Sequence, residues 1–329
     1  MCKKKRMAPL LTVSLFVVLC LIQAAAMAAE PTRQPLRVGY LPALSQLPIV
    51  VAYENDRMNH VAAQVQISRY NSFTALEAAF RVGAIDFASL PVPLVFAMAA
   101  DGHQVRLVGA DHVGGSRLVA AKQGDVQSLK GKLIGLPGLD TNENIYLSRL
   151  MQAGKLRPGL EYKTIRITFS TVMNDFKAGK LDALYLPEPY GTMAEIEKMA
   201  VAVDNQEELT GGKLDTVWVV RADYLKGHPA AVDEWLKSLA SGCRFIEDDI
   251  AKLGARQTGI IQAGYLKFPA ETVSKALQGK AGGLQYAPLM PETKVLEKIL
   301  EDAGQLKILT KSVDLKTLVD PQPLKRIGL

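Results

Sequence analysis

The sequence predicts a two-lobed α/β fold, and two observations carry that expectation. Short β-branched runs alternate with amphipathic helical stretches along most of the chain. In addition, one segment recurs without gaps 96 residues later, when residues 73–93 are laid over 169–189.

The alternation places strands at residues 36–39, 65–70, 85–88, 105–110, 132–136, 162–169, 181–186 and 216–221. In the repeat, Phe73-Thr74 matches Phe169-Ser170, the run Phe80 to Asp86 matches Phe176 to Asp182, and Leu90-Pro91-Val92-Pro93 matches Leu186-Pro187-Glu188-Pro189. Gly39 and Gly135 keep the same offset. Each copy reads as a capped helix, a glycine stop, a strand entered through Ile/Leu-Asp, and a Pro-x-Pro segment that cannot continue the strand. Thr74 and Glu77 have capping-box spacing, which predicts Thr74 as an N-cap. Asp86 and Asp182 are equivalent, which predicts a shared structural turn and not a catalytic pair. Two such lobes leave a crevice at the carboxyl ends of their strands, where a ligand belongs.

The amino-terminal 28 residues stand apart. Lys3, Lys4, Lys5 and Arg6 precede an apolar stretch over 10–22, and Ala26-Met27-Ala28 offers an A-x-A cleavage site, so the segment reads as a cleaved signal peptide. Leu19 before Cys20 does not fit a lipobox, which favours a soluble periplasmic product. The whole chain has 39 basic and 33 acidic side chains; losing the four basic ones leaves 35 against 33, a net charge of +2. With no basic block and 6% aromatic residues, nucleic acid is not an expected partner. Cleavage also removes Cys2 and Cys20, so the remaining Cys243 cannot form an internal disulfide. Val232, Trp235, Leu236, Leu239, Cys243 and Ile246 share a helix face, which predicts a packed core thiol.

Beyond residue 221 the pattern is helical over 229–246, 255–265, 269–277 and 291–303, read as cover and not as a separate catalytic domain. Expected boundaries are lobe 1 over 36–122 plus 215–329 and lobe 2 over 123–214, with hinges near 119–123 and 205–216. Gly114-Gly115-Ser116 and Gly211-Gly212-Lys213 lack phosphate-loop or dinucleotide spacing. There is no G-x-S-x-G elbow, no H-E-x-x-H helix and no metal-ligand spacing among four histidines, which argues against a secreted hydrolase.

Four segments resemble the solute-binding proteins of nitrate, sulfonate, taurine and thiamine-precursor ABC importers, a group that includes thiamine-pyrimidine-synthase-like proteins. They are residues 36–42, 76–88, 129–135 and 176–190, the last ending in Pro-Glu-Pro-Tyr. The resemblance implies a type II periplasmic-binding-protein-like fold and a non-enzymatic receptor that closes on a small solute. It also implies a monomer, a permease and ATPase complex at the inner membrane as partners, and no cofactor or metal. The first helix lacks the Gly-Leu/Phe that usually ends it in this family, and Tyr185-Leu186 stands where a Trp often precedes the proline turn. These departures leave the particular solute open. Two other readings keep the fold: an enzyme of thiamine-pyrimidine or cofactor biosynthesis, and a ligand-sensing module.

The family's architecture puts ligand contacts on loops after the strands. In this chain they carry Leu41, Pro42, Ser45 and Gln46, then Ser72 and Thr74, then Ser89 and Pro91, with His112 after the fourth strand. The other lobe offers Thr141 and Asn142 beside Asp140, then Ser170, and then Tyr185, Glu188 and Tyr190. The helix start at Thr141 and Asn142 offers unpaired N–H groups to an anionic head. Thr74, Thr141 and Ser170 could equally cap their own helices. Glu188 could accept from a ligand amine or face solvent, and Tyr185 and Tyr190 could stack on a ligand or pack at the core edge.

Overall fold

The computed structural model describes residues 33–203, 213–279 and 281–329. The expected signal peptide lies outside the described residues, as does Gly211-Gly212.

The first sheet holds β1 (Gln34–Tyr40), β2 (Ala63–Arg69), β3 (Phe87–Pro91), β4 (Val105–Val113), β10 (Thr216–Arg221) and β11 (Gln285–Leu289). Their order is β2-β1-β3-β10-β4-β11. The second sheet holds β5 (Ser116–Ala120), β6 (Leu133–Leu136), β7 (Lys163–Arg166), β8 (Ala183–Pro187) and β9 (Val201–Ala202), in the order β7-β6-β8-β5-β9. The two sheets share one plan. In each, one strand (β1 or β6) pairs in parallel with two neighbours (β2 and β3, or β7 and β8), and an antiparallel strand (β10 or β5) lies beyond β3 or β8.

The repeat seen in the sequence is this shared plan. Asp86 accepts from the backbone N–H of Arg37, and Asp182 accepts from that of Leu133; the two donors are again 96 residues apart. Each aspartate thereby pins the entry of its β-strand to the strand beside it, the structural turn that the equivalence predicts. Cys243 is also where its helical face predicts, buried with Trp235, Leu239 and Ile246 on α8 (Pro229–Leu253). That helix packs on α1 (Leu47–Asp56), closing the core of the first lobe.

Several local expectations need correction. Helix α2 (Phe73–Arg81) is capped by Ser72, whose hydroxyl accepts from the Ala75 N–H at 3.1 Å, and Thr74 lies exposed inside the helix. The T-x-x-E spacing was met, but Ser72 satisfies a free N–H earlier and so moves the start forward. Ser170 is likewise exposed and not a cap, because α5 (Val172–Lys177) has its N-cap at Thr171. Strands β5, β9 and β11 were not anticipated. As β5 belongs to the second sheet, the chain passes between sheets at Gly114-Gly115, before the expected 122–123 boundary, and 119–120 is strand, not hinge.

Gly114 has φ +68 and Gly115 φ +100. A Cβ on Gly114 would stand 2.4 Å from the carbonyl oxygen of Gly283. Gly114 also donates to Lys213 O at 2.8 Å, which ties the outgoing crossing to the returning one. Replacing Gly114 by Ala is expected to destabilise the protein by about 1–3 kcal/mol through left-handed backbone strain and backbone crowding. Urea unfolding should show a lower midpoint, and an unchanged midpoint would contradict this reading.

Candidate functional site

The lobes meet along a seam built from equivalent pieces of each. Helix α1 opens after Ser45-Gln46, and α4 (Asn142–Ala153) opens after Thr141, so the pairs Ser45-Gln46 and Thr141-Asn142 are also 96 residues apart. Asn142 Oδ1 accepts from the Val92 N–H at 3.1 Å, while the Glu188 carbonyl, at the position equivalent to Val92, accepts from the Leu44 N–H at 2.6 Å. The Phe169 N–H donates to Asn71 O at 3.0 Å. The equivalent rings of Phe73 and Phe169 meet edge to face at 6.3 Å. Tyr190 stacks on Phe169 at 5.2 Å and donates its hydroxyl to Pro42 O at 3.0 Å. These contacts join the lobes across the seam.

Beside the double crossing lies a polar cavity of about 10 Å³, lined by Gly114, Ser116, Glu143, Tyr146, Tyr185, Lys213 and Asp215. That is room for about one water, so a metabolite would need the lobes to part. Glu143 is 2% exposed. Its Oε1 accepts from Ser116 Oγ at 3.0 Å, and Oε2 has no partner. Burial, and then the charge of Asp215, push its carboxyl above the usual range. Tyr146 donates to Leu214 O at 2.8 Å, and the ammonium of Lys213 stands 5.1 Å over its ring. The Tyr185 phenol is raised well above its ordinary value by burial and by the nearby carboxyl groups.

Behind this cavity sits His112, fully buried at the end of β4. Its Nδ1 is 2.6 Å from Asp111 Oδ1, and Asp111 Oδ2 accepts from Trp218 Nε1 at 3.0 Å. His112 Nε2 is 3.6 Å from Asp215 Oδ2, an ion-pair distance too long for a hydrogen bond. Burial disfavours the imidazolium, but the two flanking carboxylates outweigh it and raise the pKa to about 9.

The remaining sequence-predicted residues divide into three groups. Leu41, Pro42, Ser45, Gln46 and Pro91 are buried at the seam, and both polar atoms of the Gln46 amide lack a partner. Ser89 is buried and donates to Thr216 Oγ1 at 2.7 Å, next to Asp215. Asn142 also donates to Leu214 O at 2.8 Å. Thr141 is the N-cap residue of α4, but its hydroxyl donates to Gly138 O and does not cap. Ser72, Thr74 and Ser170 serve α2 or face solvent.

Two expectations change in kind. Glu188 does not face solvent. It is fully buried, accepts from the Thr192 N–H at 3.0 Å and stands 3.4 Å from Arg117, so its carboxylate is engaged within its own lobe. The anion-binding role of the α4 start also meets a competitor, because Glu143 places the chain's own carboxyl in that first turn. Sequence reasoning missed Glu143, Asp215, Ser116, Tyr146 and the Gly114-Gly115 crossing. Extending the 96-residue offset backward would have paired Gln46 with Asn142. No pattern in the sequence marks the two acids.

Two α/β lobes joined by crossing strands, with buried polar groups at the seam, make a cleft-type architecture. The model of the NMT1-like family matches residues 29–258, and the chain belongs to that family. The ligand-binding component of an ABC-type import system from Staphylococcus aureus, solved with zinc bound, superposes with a TM-score of 0.79 at 16% identity, covering 90% of this chain and 99% of that one. The alkanesulfonate-binding protein SsuA from Xanthomonas axonopodis pv. citri, bound to MOPS, gives 0.75 at 19% identity, covering 89% and 99%. The bicarbonate transport ATP-binding protein CmpC of Synechococcus elongatus is 22% identical over 65% of this chain. The match spans only 35% of that relative's length. Among the described residues, no group of three His, Cys, Asp or Glu side chains could hold a metal ion.

The His112 pKa has a consequence for stability. A histidine raised in the folded state stabilises fully below its unfolded pKa of about 6.5 and loses that contribution as pH rises through about 9, at most about 3 kcal/mol. The groups packed against it are Asp111, Asp215 and Tyr286, with Cys243 on the Asp111 carbonyl. Glu143, whose carboxyl is also raised, loses stability in the same direction from lower pH. Thermal melts of the wild type should therefore fall in Tm between pH 7 and 9, and His112→Gln should flatten that slope. A slope unchanged by the substitution would refute the assignment.

Proposed function

We propose that the protein is the exported solute-binding receptor of an ABC-type importer, capturing a small molecule by lobe closure and presenting it to a membrane permease with its ATPase. The observation that carries this reading is the seam: two equivalent lobes meet through paired contacts around buried groups without hydrogen-bond partners. Hinge closure around a ligand is an established use of this geometry. Membership of the NMT1-like family and likeness to an ABC import component and to SsuA support it.

The site comprises the crossing cavity and the seam around it, with Gln46, His112, Ser116, Asn142, Glu143, Tyr185 and Asp215 as the contacts or their immediate supports. Export through a cleaved signal peptide places the mature chain in the periplasm as a monomer. Among the described residues no helix is long and apolar enough to cross a membrane.

The test is a thermal-shift screen of the mature protein against small metabolites. A receptor gains about 3 kcal/mol of stability at a hundredfold excess of ligand over Kd. Mass spectrometry should then recover the solute unchanged; recovery of a product would make the protein an enzyme and overturn the receptor reading.

A further inference from the structure

We infer that the solute carries a positively charged nitrogen with N–H donors, an ammonium, amidinium or guanidinium head, seated between Glu143 and Asp215. This rests on the receptor reading and differs from the sulfonate and bicarbonate named for relatives.

The inference comes from the charges lining the cavity. Among the described residues, no Lys or Arg is buried, whereas at this cavity Asp111, Glu143 and Asp215 are. Asp111 is balanced by His112 and by the Trp218 N–H. That leaves Glu143 and Asp215 facing one cation at the cavity wall, Lys213, which also lies over the Tyr146 ring. The lining therefore holds one carboxylate more than it balances. A monovalent cation completes the set, and a monovalent anion would double the excess in a space with room for about one water.

The hydrogen-bonding inventory agrees. Glu143 Oε2 is buried and unpartnered, and in the ionised form that a neighbouring cation favours, a carboxylate accepts without donating. It calls for a donor, which nitrate and sulfonate lack. Ser116 fixes the other oxygen of Glu143, so the free one is held in place. Planar N–H pairs match a carboxylate edge, and the Tyr146 and Tyr185 rings on the same wall suit the face of a cation. The raised carboxyl of Glu143 supports this, since an acid lacking its cationic partner takes up a proton instead.

The experiment compares two probe series on the mature wild-type protein at constant ionic strength: methylguanidinium and ethylammonium against nitrate, bicarbonate and ethanesulfonate. The cations are expected to raise Tm and the anions to leave it unchanged. Calorimetric affinity for methylguanidinium should then fall at least tenfold in Glu143→Gln and in Asp215→Asn. Stabilisation by the anions alone would overturn the solute class and leave the receptor standing. No stabilisation by either series would overturn the cationic seat and leave the receptor reading to the metabolite screen. Cation binding unchanged in both variants would overturn the seat. If a variant fails to fold, the wild-type selectivity still decides the class.

Discussion

The architecture depends on the tie between the two crossings, where the Gly114 N–H meets the Lys213 carbonyl. Several of the groups that could act on a ligand lie within a few residues of that bond. His112 precedes it on the outgoing strand and Ser116 follows it; Asp215 and Thr216 follow it on the return. A glycine pair lets the outgoing chain turn sharply without a side chain to obstruct the return. The crossing forms a wall of the cavity; on the proposed reading it is also the pivot, so a group bound there is coupled to lobe position by geometry.

The seam adds a second constraint, which is symmetry of origin. Equivalent positions in the two lobes face one another, so Phe73 meets Phe169, and the Val92–Asn142 bond has its counterpart in Leu44–Glu188. Yet the equivalents are not identical in chemistry. Gln46 corresponds to Asn142, and Val92 corresponds to Glu188. Asn142 spends its amide holding the lobes together, while Gln46 keeps both amide atoms unpaired. The difference at these equivalent positions leaves one lobe's amide structural and the other's without a hydrogen-bond partner.

Much of this was legible in the sequence because it is written in residues with strong local consequences. Glycine stops, Ile/Leu-Asp entries and Pro-x-Pro segments survive as pattern, and they revealed the repeat, the α/β order and the structural aspartates. What stayed hidden lacks a local signature. Strand β5 is five residues directly after a glycine pair, and β11 contains Pro288, tolerable because the strand is at the sheet edge. Gly114-Gly115 was weighed only as a phosphate loop, not as a crossing. Glu143 and Asp215 are single acids 72 residues apart, and only the folded crossing brings them to one wall. The family resemblance gives Gln46, Asn142, Tyr185 and Glu188 alike a ligand role; the structure buries all four and engages Glu188 with Thr192 and Arg117.

The central claim is that the lobes move as bodies about the Gly114–Lys213 crossing and that solute holds them shut. The most direct measurement is a distance distribution between spin labels at Val82→Cys and Leu160→Cys, exposed positions on opposite lobes; the buried Cys243 is protected from labelling. The account predicts a broad, longer distribution without solute that collapses to one short distance at saturation. A single distance, identical with and without a solute proven to bind, would contradict it.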